Sequence, residues 1–137
     1  MNSLIFFLAE YAIYLLFMAV PVLWFDGDRK LAWAATLSVG LAWLGGRFIK
    51  DFFYFPRPFP LQLLDGSFPS LHAATSFGLS FAVLWSKPRL GKVLLVVSGL
   101  IAVGRVATGA HYPIDVIAGA LLGYVSARVL RLTNYHS

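Results

Sequence analysis

Apolar residues fill five runs of this chain, residues 4–25, 31–48, 69–85, 93–106 and 113–129, and polar residues gather in the breaks between them. No run carries the polar stripe of a helix that lies on a soluble core, so each reads as a helix apolar nearly all round. The first is long enough to cross a bilayer, which takes about 20 residues. The others are shorter, which fits a bilayer that thins around them. Asp26-Gly27-Asp28-Arg29-Lys30 is a tight polar turn, and Lys87-Pro88-Arg89-Leu90-Gly91-Lys92 is a basic one. Residues 50–68 form a long connection in which Pro56, Pro58, Pro60 and Gly66 block regular structure. Its Phe52-Phe53-Tyr54-Phe55 stretch suits a membrane interface. Pro69 and Pro113 are placed to open the third and the last helix. The pattern predicts an all-α integral membrane bundle of about five transmembrane helices, in one domain over residues 1–137.

Composition narrows the class. The chain is 59% hydrophobic and only 12% charged, against roughly 25% charged residues in a soluble domain. That excludes a compact soluble bundle. The absence of cysteine excludes disulfides and thiolate metal sites. The net charge of +5 comes from loops and helix ends, and no basic stripe with exposed aromatics accompanies it, so nucleic acid is not an expected partner. No obligate protein partner is evident. The first run is not a signal peptide, because its start is uncharged and no small-residue cleavage site follows. Small residues four apart, Ala74/Gly78, Ser76/Ser80 and Gly119/Gly123, suit close helix packing.

Charge also predicts orientation. With five spans, the Lys87/Arg89/Lys92 turn and the Arg128/Arg131 tail share one side, which the positive-inside rule makes cytoplasmic. Residues 50–68 and 108–112 then face outward. Lys50, Arg57 and Arg105 oppose the rule on that outer side, which marks them for chemistry.

Three clusters carry that chemistry, each at the end of an apolar run. In the first, Lys50 and Arg57 flank the aromatic-proline loop; each alone could be a cation reaching lipid head groups. Arg105 ends an apolar run and needs an acceptor, since Arg at mid-membrane is costly by about 3 kcal/mol. Arg matches phosphate oxygens with a planar fork, and Lys adds a point charge. Ser70 and His72 begin the third helix, where Ser70 could be only a cap and free N–H groups could bind an anion. His72 is either structural or a proton donor to a leaving oxygen. His111 and Asp115, four apart, can meet across one turn. The pair could simply satisfy itself, or Asp115 could set the tautomer that leaves the other His111 nitrogen nucleophilic. No second-ligand spacing supports a metal at the histidines, and no cofactor is implied. Glu10 lies about 13 Å into the first span by helix rise. An ionisable residue at that depth is a functional candidate, paired with a cation such as Arg47 or facing the substrate.

Taken together, the clusters resemble the three motifs of the type 2 phosphatidic acid phosphatase (PAP2) superfamily. Lys50 through Arg57-Pro58 matches the first motif, Pro69-Ser70-Leu71-His72 the second, and Gly104-Arg105, His111 and Asp115 the third. Leu71 stands where Gly is usual and Gly104 where Ser is usual. The family usually has six spans, so one N-terminal helix is expected to be missing here. Within the superfamily, Phe55-Pro56-Arg57-Pro58-Phe59 and Ala9-Glu10-Tyr11-Ala12 are similar to undecaprenyl-diphosphatases of the bacitracin-resistance type. The resemblance implies a lipid phosphate or diphosphate as substrate, among membrane lipids. His111 is implied as nucleophile, Asp115 as its orienting group and His72 as acid and then base. Lys50, Arg57, Ser70, Leu71 and Arg105 are implied to hold the phosphate. Phosphatidic acid or phosphatidylglycerol phosphate are alternative substrates. A haloperoxidase, which shares the motifs, is disfavoured by the small membrane chain. A non-enzymatic binder of anionic lipids is disfavoured by the presence of both His111 and Asp115.

Overall fold

The computed structural model describes residues 2–58 and 65–134; Phe59 and Pro60 of the long connection lie outside the described residues. The five apolar runs fold as seven helices, with no strand among the described residues. The first run becomes three pieces, α1 Ser3–Glu10, α2 Ala12–Phe17 and α3 Ala19–Phe25. Asn2 caps α1 by accepting from the Leu4 N–H at 3.0 Å. The break at Met18 has a local cause: Pro21 has no N–H to offer the Phe17 carbonyl. At Tyr11 the chain bends by 45° between α1 and the α2–α3 stretch. Gly27, at φ 90°, supplies the left-handed turn that reverses the chain into α4 Arg29–Phe52.

The later helices start where their sequences direct, with one shift. α5 Leu71–Leu84 is capped by Ser70, so Pro69 lies before the helix and not in its first turn. α6 Pro88–Ala107 has Pro88 in its first turn, and α7 Pro113–Asn134 opens on Pro113. Gly109, at φ 74°, ends α6. The Ala110 N–H donates to the Arg105 carbonyl at 3.1 Å and the Gly109 N–H to the Val106 carbonyl at 3.0 Å. That pair of bonds is a Schellman cap, and it folds the chain back so that the His111 N–H also reaches the Arg105 carbonyl.

By length and composition two helices, α6 and α7, can cross a membrane, or three if the bent α1–α3 stretch is one span. That is fewer than the five apolar runs imply, for local reasons. At 14 residues, α5 is about 21 Å long. α4 is long, but Arg29, Lys30, Arg47, Lys50 and Asp51 dilute its two ends.

α5 is the central helix and packs against α4, α6 and α7. Its closest backbone approaches are made by small residues, as the four-residue spacings predict, while Leu79 and Val83 join the apolar core. Gly119 lies under the Ser70 carbonyl and Gly123 under the Ala74 carbonyl. The Ser38 hydroxyl donates to the Gly78 carbonyl at 2.9 Å, and Ser80 meets Ser98 at 2.9 Å between α5 and α6. Ser38, Ser76, Ser80 and Ser98 are fully buried, while Leu15, Leu44, Val96, Val103 and Leu121 are exposed. Small polar residues buried beside Leu79, Val83 and Ile101, with many large apolar side chains left on the outside, are the arrangement of a helix bundle solvated by lipid.

The helices α4 to α7 alternate in direction. One end of the bundle therefore holds the Lys87–Asp28 ion pair, at 3.2 Å, and Arg128 and Arg131 over the Trp85 ring. The opposite end gathers the last turns of α4 and α6 and the first turns of α5 and α7.

Candidate active site

At that second end a cavity of about 490 Å³ is lined by Lys50, Arg57, Asp65, Leu71, His72, Arg105 and His111. Its other wall is apolar, from Ile13, Tyr14 and Phe17 on α2 and Val39, Gly40 and Trp43 on α4. Six of the residues singled out in the sequence thus meet at one cavity, from three helices and two loops.

Lys50 is not in the connecting loop but in the last turn of α4, buried, with its ammonium donating to the Gly66 carbonyl. Arg57 enters from the loop. Its Nη1 donates to the Ala110 carbonyl at 2.9 Å, and its Nη2 to the two Asp65 carboxylate oxygens at 3.1 and 3.2 Å. Burial works against ionisation of Asp65, but the Arg57 charge and hydrogen bonds outweigh it and hold the carboxyl below its ordinary range. Arg105, in the last turn of α6, pairs with Glu10. Arg47 instead pairs with Asp51 at 3.1 Å on the exposed face of α4, so the expected Glu10–Arg47 contact does not form.

Ser70 and Asp115 lie behind the cavity. Ser70 is fully buried; its hydroxyl accepts from the Ala73 N–H at 3.3 Å and its N–H donates to the Asp115 carbonyl at 3.0 Å. It caps α5 and ties it to α7, which leaves the adjacent Leu71 at the cavity wall. Asp115 accepts from the Tyr112 N–H at 2.7 Å, the reach-back contact of a helix start. Its carboxylate stands 3.6 Å from His111 Nδ1, beyond a hydrogen bond. The partner of Nδ1 is the Ser67 carbonyl, at 2.8 Å.

A carbonyl can only accept, so Nδ1 carries the hydrogen and Nε2 is left with its lone pair. Burial first, and then the Arg105, Arg57 and Lys50 charges, push the His111 pKa down to about 3. The ring is neutral near pH 7, as a nucleophile must be. Asp65 and the Ser67 carbonyl were not found from the sequence. A single loop acid has no spacing signal, and a backbone oxygen has no residue type to betray it. Among the described residues, no three His, Cys, Asp or Glu side chains converge as metal ligands do.

Residues 31–136 match the family model described as the PAP2 superfamily. The bacitracin transport permease protein BcrC of Bacillus licheniformis is 30% identical over 139 residues, covering 93% of this chain and 68% of that protein. The undecaprenyl-diphosphatase BcrC of Bacillus subtilis (strain 168) is 28% identical over 137 residues, covering 91% of this chain and 70% of that protein. The crystal structure of Aquifex aeolicus LpxE superposes with a TM-score of 0.78 at 26% identity, over 96% of this chain and 87% of that one.

Proposed function

The chain belongs to the PAP2 superfamily, and from that premise we propose that it cleaves undecaprenyl diphosphate to undecaprenyl phosphate and inorganic phosphate. The protein is a membrane-embedded lipid phosphatase. The observation that carries the finer reading is the cavity, with three cations and two histidines on one wall and apolar side chains on the other. A charged head with a long apolar tail matches both walls. The two named BcrC relatives bear different labels, a permease and a diphosphatase. A neutral histidine held by Nδ1 beside three cations favours the enzyme, since a carrier has no use for a poised nucleophile.

In the proposed reaction, His111 Nε2 attacks the terminal phosphorus as the bond to the bridging oxygen breaks. His72 gives that oxygen its proton. Water then attacks the phosphohistidine, His72 takes the water's proton, and phosphate leaves. Asp115 supports His111 from behind, at the start of α7. Lys50, Arg57 and Arg105, with the Leu71 N–H, hold the phosphate oxygens, and Ser70 positions that N–H as the helix cap. Charge spreads over those oxygens in the transition state, so fixed cations supply most of the stabilisation. Three of them can do the work of a metal ion.

The test is relative kcat/KM in detergent for undecaprenyl diphosphate, phosphatidic acid and phosphatidylglycerol phosphate, with and without a chelator. The diphosphate is expected to lead by at least about tenfold, which is about 1.4 kcal/mol. Activity is expected to survive the chelator. Equal turnover of phosphatidic acid would move the protein to the general lipid phosphatases, and complete loss with chelator would remove the metal-free mechanism.

We also propose that the cavity faces the outer side, because seven of the eleven Lys and Arg residues lie toward the opposite end of the bundle. Tyr54 is exposed near the site and Arg89 is exposed at the other end. In intact cells Tyr54→Cys should react with an impermeant thiol reagent and Arg89→Cys should not. The reverse pattern would invert the orientation.

A further inference from the structure

Glu10 belongs to none of the three motifs, yet it is the acidic partner of Arg105, 95 residues away. Two features of the chain bring them together. α1 ends at Glu10, where the chain bends into α2. α1 also lies against α6 at Gly104, where a Cβ would stand 2.9 Å from the Ala9 nitrogen and 3.2 Å from its Cα. Those atoms are backbone and cannot swing aside, so only glycine admits this approach. Gly104 immediately precedes Arg105, and the same approach that excludes a side chain at 104 carries Glu10 to the guanidinium at 105. The departure from Ser at this position therefore has a structural use here.

The bonding of the guanidinium is uneven. Nη1 donates to Glu10 and, at 3.5 Å, to the Ala9 carbonyl. Nε is buried and has no partner among the described residues. The Arg105 side chain is 8% exposed and that of Glu10 39%, so the carboxylate sits toward the rim and the guanidinium deeper. A planar fork fixed through Nη1, with Nη2 making no hydrogen bond among the described residues and the side chain lining the cavity, is held ready for a second anion.

We propose that Glu10 is a positioning residue for phosphate binding: it aims the Arg105 guanidinium so that an unpaired N–H remains for a phosphate oxygen in the cavity. This rests on the phosphatase reading above. Without the carboxylate, the Ala9 carbonyl is the remaining tether, and the long side chain regains rotamers that miss the phosphate. A Gln at position 10 keeps the shape but loses the charge-assisted bond.

The test is a double-mutant cycle with Glu10→Gln and Arg105→Lys, all four proteins assayed in detergent for hydrolysis of undecaprenyl diphosphate and phosphatidic acid. E10Q alone is expected to lower kcat/KM by about five- to tenfold and to weaken inhibition by orthovanadate by a similar factor. In the R105K background, E10Q is expected to change kcat/KM by less than about twofold, because an ammonium has no second nitrogen to aim. A packing role for α1 would cost the same in both backgrounds, and that result would overturn the proposal. So would an E10Q enzyme within about twofold of wild type, or one that binds vanadate more tightly, which would make Glu10 a competitor of the phosphate. Thermal unfolding is followed in parallel, and if E10Q does not fold, Glu10→Asp takes its place with the same expectation. A wild-type protein inactive on both lipids would sink the phosphatase reading instead; vanadate protection against thermal unfolding would then still read the coupling between Glu10 and Arg105.

Discussion

His111→Ala is expected to abolish lipid phosphate hydrolysis, with turnover falling by about a thousandfold or more. The reason is that His111 is the group the proposed mechanism assigns to attack phosphorus. His111 is buried, neutral and held through Nδ1 by the Ser67 carbonyl, which leaves Nε2 free to attack. On the proposed mechanism, removing the ring leaves three cations to bind the phosphate but nothing to form the covalent intermediate. Affinity for vanadate should therefore fall much less than turnover. Acid-quench experiments with substrate labelled in its terminal phosphate should trap the label on wild-type protein and none on His111→Ala. A variant that keeps a tenth or more of wild-type turnover, or that still traps label, would remove His111 from the nucleophile's role.

Gly119→Leu is expected to have the second largest effect, through a residue that touches no substrate. A Cβ at position 119 would stand 2.5 Å from the Ser70 carbonyl oxygen, 2.9 Å from the Ala73 Cβ and 3.1 Å from the Ala74 nitrogen. Relief requires α5 and α7 to move apart at the point where Ser70 caps one helix and bonds the Asp115 carbonyl of the other. Overpacking of this kind costs about 1–3 kcal/mol, and more where the obstacle is backbone. His72 rides on the first turn of α5 and His111 on the turn before α7, so they would be displaced relative to one another. A misplacement of about 1 Å costs on the order of a hundredfold in rate. The variant should unfold at lower temperature in detergent and lose kcat/KM by that order. Gly99→Ala, where nothing lies within 4 Å of the added carbon, should change neither. If Gly119→Leu behaves like Gly99→Ala, the close approach of α5 and α7 does not position the site.

Most residues of the candidate site could be picked out because their signals are local. Lys50, Arg57, His72, Arg105 and His111 are polar residues at the ends of apolar runs, and they line one cavity. The start of α7 at Pro113, the cap of α5 at Ser70 and the small-residue seam through Gly119 and Gly123 could likewise be read from a few neighbouring residues. The break at Met18 has its cause in Pro21, three residues on. No such signal marks the bend at Tyr11, which coincides with the close approach of α1 to Gly104.

The pairing of charges was not legible. Glu10 meets Arg105 and not Arg47, Asp65 meets Arg57, and His111 Nδ1 meets the Ser67 carbonyl while Asp115 stands 3.6 Å away. Hydrophobic pattern and cap chemistry depend on residues a few positions apart, so the sequence alone determined the apolar helical runs, most of their starts and the polar residues that gather at the candidate site. Which carboxylate or carbonyl holds which cation or ring depends on how closely two helices cross and how one loop folds back. Those distances are set by Gly104 against Ala9, by Gly119 against Ser70 and by the Schellman turn at Gly109, contacts between segments far apart in the chain, and only the tertiary structure decided them.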